Sequence, residues 1–333
     1  MRLGTSLRFK FASSPDSMAA YQEKVARGEF SDIPFGEPDA RLQGEQLLEL
    51  GATAAQAGLD FLMLGDGHAS ADANIFAPVP TMARMLAVTG DMPVGLLLLA
   101  PFHHPVIAAE QIGTLAAFAP EPFTLILGNG DGGKAFDGFG IIKGSRGRRT
   151  EEQITLIRRL LAGEEVTHES AYHQLNGVKI NPVPRVQTPI WLAATRGAAV
   201  ERAGRLGDGW ETSPVASDHA LVEQLAVYTR HAEAAGRVPN PVLRRDIFVA
   251  ATDEAAWEAV NPVFELGYRG LGSGQNDDTA LVGSAKTVVE KLRHYHSLGF
   301  DFTLVRHIVG EHQQILDSLR RIGDDVLPAI RDL

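Results

Sequence analysis

The sequence predicts an α/β fold, a (β/α)8 TIM barrel in which eight parallel strands alternate with helices. Short apolar runs recur eight times along the 333 residues, and longer segments of helical period separate them. The run at 95–99 is apolar throughout, which suits a strand covered on both faces. A length of 333 residues also lies within the usual range of a single barrel, so one domain is expected over 1–333.

The strand candidates follow one another from one end of the chain to the other. They lie at 3–9, 60–64, 92–99, 123–127, 189–194, 208–212, 242–251 and 301–309. Between them, apolar residues keep helical spacing, as Leu47, Leu50 and Ala54 do, which predicts helices with a single apolar stripe. The stretch from Thr150 to Gln153 resembles a capping box and predicts that a helix begins there.

Two segments interrupt this alternation and are predicted to be insertions. Residues 13–40 are polar and contain three prolines. Because this segment follows the carboxyl end of the first strand, we expect it to lie over the active face as a partial lid. Residues 163–188, between the fourth and fifth strands, include a stretch at 167–180 that resembles a β-hairpin.

The composition limits the partners and the location of the protein. A net charge of -10, with 31 dispersed lysines and arginines, disfavours nucleic acid. The absence of cysteine excludes disulfides and thiolate metal sites, and it fits a reducing compartment. No apolar run has the character of a signal peptide or reaches the roughly 18 residues of a membrane-spanning helix. We therefore expect a cytoplasmic protein without a membrane partner.

Functional residues of a barrel follow the carboxyl ends of its strands, where the loops assemble the site. Five such places carry polar or glycine residues. They are 65–68 after the second strand, 100–105 after the third, 128–133 after the fourth, 195–198 after the fifth, and Arg306 with His307 at the end of the eighth.

Several motifs occur in an order and spacing that together are more specific than any one of them. They are Ala57-Gly58-Leu59-Asp60-Phe61-Leu62 leading to Asp66, Leu127-Gly128-Asn129-Gly130, Pro189-Ile190-Trp191-Leu192-Ala193-Ala194, Ala203-Gly204-Arg205-Leu206-Gly207-Asp208-Gly209-Trp210, and Val282-Gly283-Ser284 with Leu298-Gly299-Phe300-Asp301. Over nearly the whole chain, this pattern resembles the bacterial luciferase-like flavin monooxygenase family, including its relatives that use the deazaflavin F420.

The resemblance implies a flavin-dependent oxidoreductase. Its first form is a two-component monooxygenase that receives reduced FMN from a separate flavin reductase and oxygenates a small organic substrate. A second form is an F420-dependent oxidoreductase that transfers hydride, and a third is a flavin-binding protein without catalysis. The resemblance also implies a homodimer.

Carried over to this chain, the resemblance assigns residues to the cofactor. The flavin ring would lie against Leu97 and Leu98, where the family often has a non-prolyl cis peptide; the alternative is two ordinary core leucines. Asn129 and Gly130 would flank the polar edge of the ring, unless they form a plain loop turn. The phosphate would lie at the helix start formed by Ala194, Thr195, Arg196, Gly197 and Ala198. Arg196 would add charge, and Arg146 would lie near the phosphate or the substrate, unless it is a surface arginine. A competing phosphate site is the glycine-rich stretch 270–274.

Three residues are candidates for catalysis. Many relatives carry an acidic residue followed directly by histidine, whereas here Gly67 separates Asp66 from His68. His68 or His103 is expected to serve as a general acid or base beside Asp66, the alternative being a solvated loop histidine.

Two other barrel chemistries are disfavoured by the sequence. No HExxH motif occurs, and His294 and His296 lie two apart on a predicted helix, so no metal is expected. A glycosidase would need paired carboxylates, such as Asp66 and Asp131, but both are followed by glycine-rich loops typical of flavin sites.

Overall fold

The computed structural model shows a closed barrel of eight parallel strands, which confirms the predicted fold class. The structure describes residues 1–8, 10–28, 33–70, 72–130, 134–270 and 279–333. The barrel strands, in spatial order, are β1 (Arg2–Leu7), β3 (Leu62–Leu64), β5 (Val94–Leu99), β6 (Thr124–Gly128), β9 (Ile190–Ala193), β10 (Gly209–Glu211), β11 (Pro241–Ala250) and β13 (Phe302–His307). Pairing of β13 with β1 closes the ring.

Helices surround the barrel and return the chain from each strand to the next. They are α1 (Ser17–Ala26), α2 (Ala40–Gln56), α3 (Pro78–Thr89), α4 (Pro105–Ala116), α5 (Lys134–Gly138), α6 (Arg146–Leu161), α7 (Gly197–Leu206), α8 (Asp218–Ala234), α9 (Asp253–Glu265), α10 (Ala285–Ser297), α11 (His312–Arg321) and α12 (Leu327–Ile330). None of the helices in the described ranges is both long and apolar enough to cross a membrane.

Alternation along the strands separates an inner core from an outer one. Phe61, Trp191 and Phe302 meet inside the barrel near the amino ends of the strands, with ring centroids 5.4 to 5.8 Å apart. Residues such as Leu96 and Leu98 face outward and pack against the helices. The aromatic trio fills the amino-terminal part of the interior, so space for a ligand is left at the carboxyl end.

The first insertion crosses the carboxyl end of the barrel on the side of β1. In α1, Lys24 forms an ion pair with Asp72, which follows β3, and the Tyr21 hydroxyl donates to the carbonyl of Gly267 at 3.2 Å. Strand β2 (Lys10–Ala12) pairs antiparallel with β4 (Ala73–Ile75) at the same end. The segment is therefore attached on both sides of β1, and its function as a lid stays a prediction.

The second insertion is the predicted hairpin. Strands β7 (Val166–Glu169) and β8 (Gln174–Val178) pair antiparallel with each other only. Glu152 of α6 accepts hydrogen bonds from Ser170 Oγ at 2.6 Å and lies 3.0 Å from His168 Nε2, which fixes the hairpin turn against α6.

Two details differ from the sequence-based expectation. Helix α6 begins at Arg146, one turn earlier than the capping-box pattern predicts. Thr150 Oγ1 donates to the carbonyl of Arg146 at 2.9 Å, so its hydroxyl bonds within the helix instead of capping it. A further strand, β12 (Leu281–Ser284), pairs with the carboxyl half of β11 outside the closed ring.

Candidate active site

Asp66 lies directly beyond β3, and its carboxylate is the centre of a buried polar cluster. Its side chain is 0% exposed. Oδ2 lies 2.7 Å from His103 Nε2 and 3.1 Å from His68 Nε2, and it accepts the backbone N–H of Leu99 at 2.9 Å. Oδ1 is buried and has no hydrogen-bond partner within the described residues. The three residues predicted for catalysis therefore meet around one oxygen atom.

The surroundings keep Asp66 ionised. Burial by itself raises the pKa of this carboxyl, but the hydrogen bonds from His103, His68 and the Leu99 amide outweigh it and hold the pKa well below its usual range. A carboxylate has no proton to donate, so each imidazole carries a proton on Nε2 and donates one hydrogen bond to Asp66. The tautomer with the proton on Nε2 leaves Nδ1 of a neutral imidazole as a proton acceptor.

Neighbouring elements fix the position of His103. A short 3-10 turn over Ala100–Phe102 follows β5, and Pro105 begins α4 two residues after the imidazole. The buried amide of Gln153 in α6 donates to the carbonyl of His103 at 2.5 Å. The ring is thus held by the end of one strand and by two helices.

A cavity of about 260 Å³ opens beside the two imidazoles. His68, Phe102 and His103 form one side of it, and α3 and α4 form the other through Ala77, Pro78, Val79, Pro80, His104, Ile107 and Gln111. The ring centroid of Phe102 lies 5.0 Å from that of His68. Small molecules can therefore approach the imidazoles from a largely apolar space.

The same three side chains offer donor atoms of the kind that bind divalent metals. The Asp66, His68 and His103 donors lie within 4.8 Å of one another, a spacing that a metal site needs. In the structure these atoms are bonded to each other by hydrogen bonds instead. The expectation of no metal stays a prediction.

At the carboxyl ends of β5 and β9, some side chains that face the barrel interior are not fully buried. Leu99, Gly128 and Ala193 are neighbours in strand register and, by alternation, share the inner face with Leu97. Leu97, Leu99 and Ala193 are only half-buried although they point into the barrel. A Cβ on Gly128 would lie 3.3 Å from Leu99 Cδ2, so glycine keeps this wall flat. A flat apolar wall of this kind suits a planar ring system.

Strand alternation turns the side chains of Leu98 and Ala194 outward into the helical layer, so contact of either side chain with a cofactor stays a prediction. The carbonyl of Ala194 accepts the indole N–H of Trp210 at 2.8 Å. The peptide bonds of β5 are all trans, since the cis bonds of the described chain precede Pro122 and Pro182. Only Leu97 of the predicted pair lines the interior.

The predicted phosphate site lies at the start of α7. Residues 195–198 are exposed, and Arg196 caps the helix without a side-chain hydrogen bond. The backbone N–H groups of Gly197 and Ala198 therefore face solvent at a positive helix end, where anions bind. Arg146 begins the neighbouring helix α6, which the 2.8 Å ion pair of Arg202 with Glu151 joins to α7.

The remaining predicted positions are found at the end of β6 or fall outside the description. Asn129 and Gly130 are half-buried, and Gly130 has a φ of +69° that favours glycine. A Cβ on Gly130 would lie 3.1 Å from the ring of Phe136. Asp131 and most of the competing phosphate stretch, 271–274, lie outside the described residues.

The sequence reasoning missed a second buried polar cluster at the carboxyl ends of β10, β11 and β13. Its members are Glu211, Arg244, Asp246, Arg269 and Arg306, and four of these are no more than 6% exposed. Arg269 Nε donates to Asp246 Oδ2 at 2.6 Å, and Arg306 lies 3.8 Å from Oδ1 of the same carboxylate. Arg244 Nε lies 3.3 Å from Glu211 Oε1.

Burial governs the titration of this second cluster. It lowers the pKa of Arg244 to about 10 although Glu211 counteracts it. It raises the pKa of Glu211 despite the charges of Arg244, Arg269 and Arg306. Burial also opposes ionisation of Asp246, but the same three guanidinium groups prevail and lower the pKa of that carboxyl. The charges at 244 and 246 inside an apolar strand were the available signal, because period-two alternation turns both inward.

Closed (β/α)8 barrels with polar side chains at the carboxyl ends of their strands include many oxidoreductases, and this chain is one of them. It belongs to the luciferase-like monooxygenase family, whose model matches residues 33–301. The resemblance seen in the motifs is thereby confirmed.

Two curated relatives show the range within the family. The chain is similar to an F420-dependent glucose-6-phosphate dehydrogenase of Microbacterium testaceum, with 26% identity over 331 residues, 86% of this chain and 93% of the relative. It is also similar to an F420-dependent hydroxymycolic acid dehydrogenase of Mycobacterium tuberculosis, with 31% identity over 185 residues. That second match spans 54% of this chain and about half, 51%, of the relative.

Solved structures agree on the fold. The monooxygenase RslO1 from Streptomyces bottropensis superposes with a TM-score of 0.82 and 21% identity over 98% of this chain and 99% of that one. The oxygenating constituent of 3,6-diketocamphane monooxygenase from Pseudomonas putida, solved with FMN, gives 0.75 and 20% identity over 89% of this chain and 96% of that one.

Proposed function

We propose that this protein is an oxidoreductase that uses F420 to exchange hydride with an alcohol or carbonyl substrate. The observation that carries the proposal is the buried Asp66 carboxylate hydrogen-bonded to His68 and His103 beside an apolar cavity. Interconversion of an alcohol and a carbonyl moves one proton at the substrate oxygen, and an imidazole positioned by a carboxylate is suited to that transfer. The names of the curated relatives, both F420-dependent dehydrogenases, support the same choice.

Each residue of the cluster has a defined part in the proposed reaction. His103 accepts the hydroxyl proton at Nδ1 when an alcohol is oxidised and returns it when a carbonyl is reduced. Asp66 holds the proton of that ring on Nε2 and stabilises the imidazolium that forms. His68 donates to the same oxygen and faces the cavity, so it is the alternative proton acceptor.

The residues at the barrel mouth fit the cofactor. Leu97, Leu99 and Ala193 with Gly128 would support the ring, and the N–H groups at Gly197 and Ala198 would hold the phosphate. When bound, F420 supplies the two-electron step by exchanging hydride with the carbon that bears the substrate oxygen. The protein binds, orients and moves the proton.

A second candidate is a two-component monooxygenase that uses reduced FMN from a separate reductase, the first form implied by the sequence. The family description and the placement of α1 across the β1 side of the mouth favour it. Such an enzyme must exclude water from the reacting cofactor, and an attached segment over the mouth would serve that purpose.

An assay with both cofactors separates the two candidates. We expect that primary, secondary or cyclic alcohols from a panel will reduce F420. The loss of the visible absorption of F420 measures this reduction. Oxygen uptake with reduced FMN and aldehydes or ketones, without F420 turnover, would establish the second candidate. Binding of either cofactor without any turnover would contradict both and leave a binding protein.

The substitution Asp66→Asn tests the role of the carboxylate. The amide keeps the shape but loses the charge and offers N–H to one imidazole, so we expect kcat to fall about a hundredfold. The dissociation constant of the cofactor should stay within about threefold of wild type. Asp317→Asn, at a side chain of α11 that is 57% exposed, is the matched control and should leave kcat unchanged. A kcat in Asp66→Asn equal to that of the control would rule out the proposed proton transfer.

A further inference from the structure

Glu211 ends β10 and points into the barrel beside the open wall of the mouth. It pairs in strand register with Ala193, whose half-buried side chain faces the same interior. Neighbouring parallel strands lie about 4.8 Å apart. The backbone of Glu211 is therefore one strand spacing from Ala193, which lines the space proposed for the cofactor. The side chain is 6% exposed.

One oxygen of this carboxyl group is engaged and the other is not. Oε1 faces Arg244 Nε at 3.3 Å. Oε2 is buried and finds no hydrogen-bond partner among the described residues. An unsatisfied buried polar atom is energetically costly, and native proteins rarely retain one without a reason. A ligand atom that bonds Oε2 would remove this cost.

The charges around Glu211 restrict what that ligand atom can be. Arg244 of β11, Arg269 before the segment 271–278, and Arg306 of β13 act on its carboxyl group, and Asp246 counters the charges of Arg269 and Arg306. A cationic group would be repelled by the three guanidinium groups. An anionic group would be attracted by the guanidinium groups, but it could bond Oε2 only when Glu211 is protonated, and it would have to leave water for a buried site. A neutral oxygen function can bond the carboxyl group in either protonation state.

We propose that Glu211 binds substrate through Oε2, and that the substrate presents a neutral carbonyl or hydroxyl oxygen to it at the inner wall of the barrel mouth. The protonated acid donates to a carbonyl, and the carboxylate accepts from a hydroxyl. Arg244 orients the carboxyl group by holding Oε1. The inference rests on the proposed function, because it takes the barrel mouth that would hold the cofactor as part of the substrate site as well.

Two variants at this position test the proposal with defined probes. Cyclohexanone and cyclohexanol are titrated into protein loaded with F420 or FMN, whichever binds, and the visible absorption of the bound cofactor reports their dissociation constants. Glu211→Leu removes both oxygens, so we expect the constants to rise about tenfold. Glu211→Gln keeps a donor and an acceptor and should stay within about threefold. The surface change Glu223→Gln, on a side chain 70% exposed, is the matched control.

The pH dependence supplies a readout that a structural role would not change. Because a carboxylate cannot donate a hydrogen bond, the affinity of wild type for cyclohexanone should fall as pH rises through the raised pKa of Glu211. Glu211→Gln should bind cyclohexanone without that decline. If circular dichroism shows that Glu211→Leu does not fold, the pH dependence of cyclohexanone affinity in Glu211→Gln alone decides whether Glu211 binds substrate.

The outcomes distinguish this proposal from the proposed function. If the protein binds a cofactor and turns over, but Glu211→Leu binds both probes as tightly as wild type does, only the role of Glu211 is overturned. An absence of any response of cofactor-loaded wild type to both probes would also overturn it. Failure to bind either cofactor would overturn the proposed function, and infrared spectroscopy would then still show whether Glu211 gives the band of a protonated carboxylic acid that Glu211→Gln lacks.

Discussion

His307 shows how burial fixes the charge of a single residue. Its Nε2 lies 3.0 Å from Ser318 Oγ, which accepts the backbone N–H of Val249 at 2.9 Å. Burial, helped by the charge of Arg8, lowers the pKa of this imidazole to about 3. The sequence placed His307 with Arg306 among the functional positions, but alternation separates them, because Arg306 faces the interior and His307 faces α11.

The lowered pKa of His307 predicts acid sensitivity of the fold. Below pH 6.5 the unfolded chain protonates this histidine while the folded state does not until about pH 3, so stability is full above 6.5 and declines as pH falls. His307 alone should remove up to about 1.4 kcal/mol from the free energy of unfolding per pH unit in that window. Urea unfolding at pH 7.5 and 5 measures the difference.

The variant His307→Gln should lower stability at pH 7.5 by about 1 kcal/mol, since the hydrogen bond to Ser318 is strained or lost. The free energy of unfolding of this variant should also fall less between pH 7.5 and pH 5 than that of wild type. His219→Gln, on a side chain 80% exposed, is the control and should keep the wild-type decline. Equal pH dependence in all three proteins would refute the assignment.

The residues of the first polar cluster could be predicted, and those of the second could not. Asp66, His68 and His103 follow strands directly, where barrel geometry puts functional side chains. Arg244 and Asp246 lie within a strand, and only the pairing of β10 with β11 shows that Arg244 lies beside Glu211 inside the barrel. Their charges inside an apolar strand were a signal, but charged residues are more often solvated, so this signal alone did not select them.

At the scale of elements, helix starts and insertions decide how the site is supported. The hairpin was predicted because its alternation is local, whereas the start of α6 at Arg146 depends on a preceding turn that no capping pattern announces. The segment around Pro182, which follows the hairpin, packs closely on α4. A Cβ on Gly113 would lie 2.2 Å from the carbonyl oxygen of Pro182.

Close packing of this segment on α4 predicts that Gly113→Ala destabilises the protein. The backbone around Pro182 would have to move, at a cost of about 1 to 3 kcal/mol, which exceeds the gain of about 1 kcal/mol in helix propensity. Gly138→Ala in α5, where an added Cβ meets no described atom within 4 Å, should be neutral or slightly stabilising. Chemical denaturation of both variants compares them, and a stabilised Gly113→Ala would show that the segment does not pack on α4.

At the scale of the whole molecule, the barrel could be predicted because each βα unit carries its own periodicity. All eight barrel strands occur where the sequence predicts them. The shape of the mouth could not be predicted, since it depends on loops and on which side of each strand a residue occupies. Leu97 and Leu98, adjacent in sequence, face opposite layers for this reason.

We propose that the mouth of this barrel, walled by Leu97, Leu99, Gly128 and Ala193, holds a flavin or deazaflavin ring. Fluorescence titration of purified protein with F420 and with FMN tests it most directly, in wild type and in Ala193→Phe, whose ring would fill the opening. We predict micromolar or tighter binding of one cofactor by wild type. Ala193→Phe should bind it at least tenfold more weakly at an unchanged melting temperature. If wild type binds neither cofactor, or if the folded variant binds as tightly as wild type, the barrel mouth is not the cofactor site.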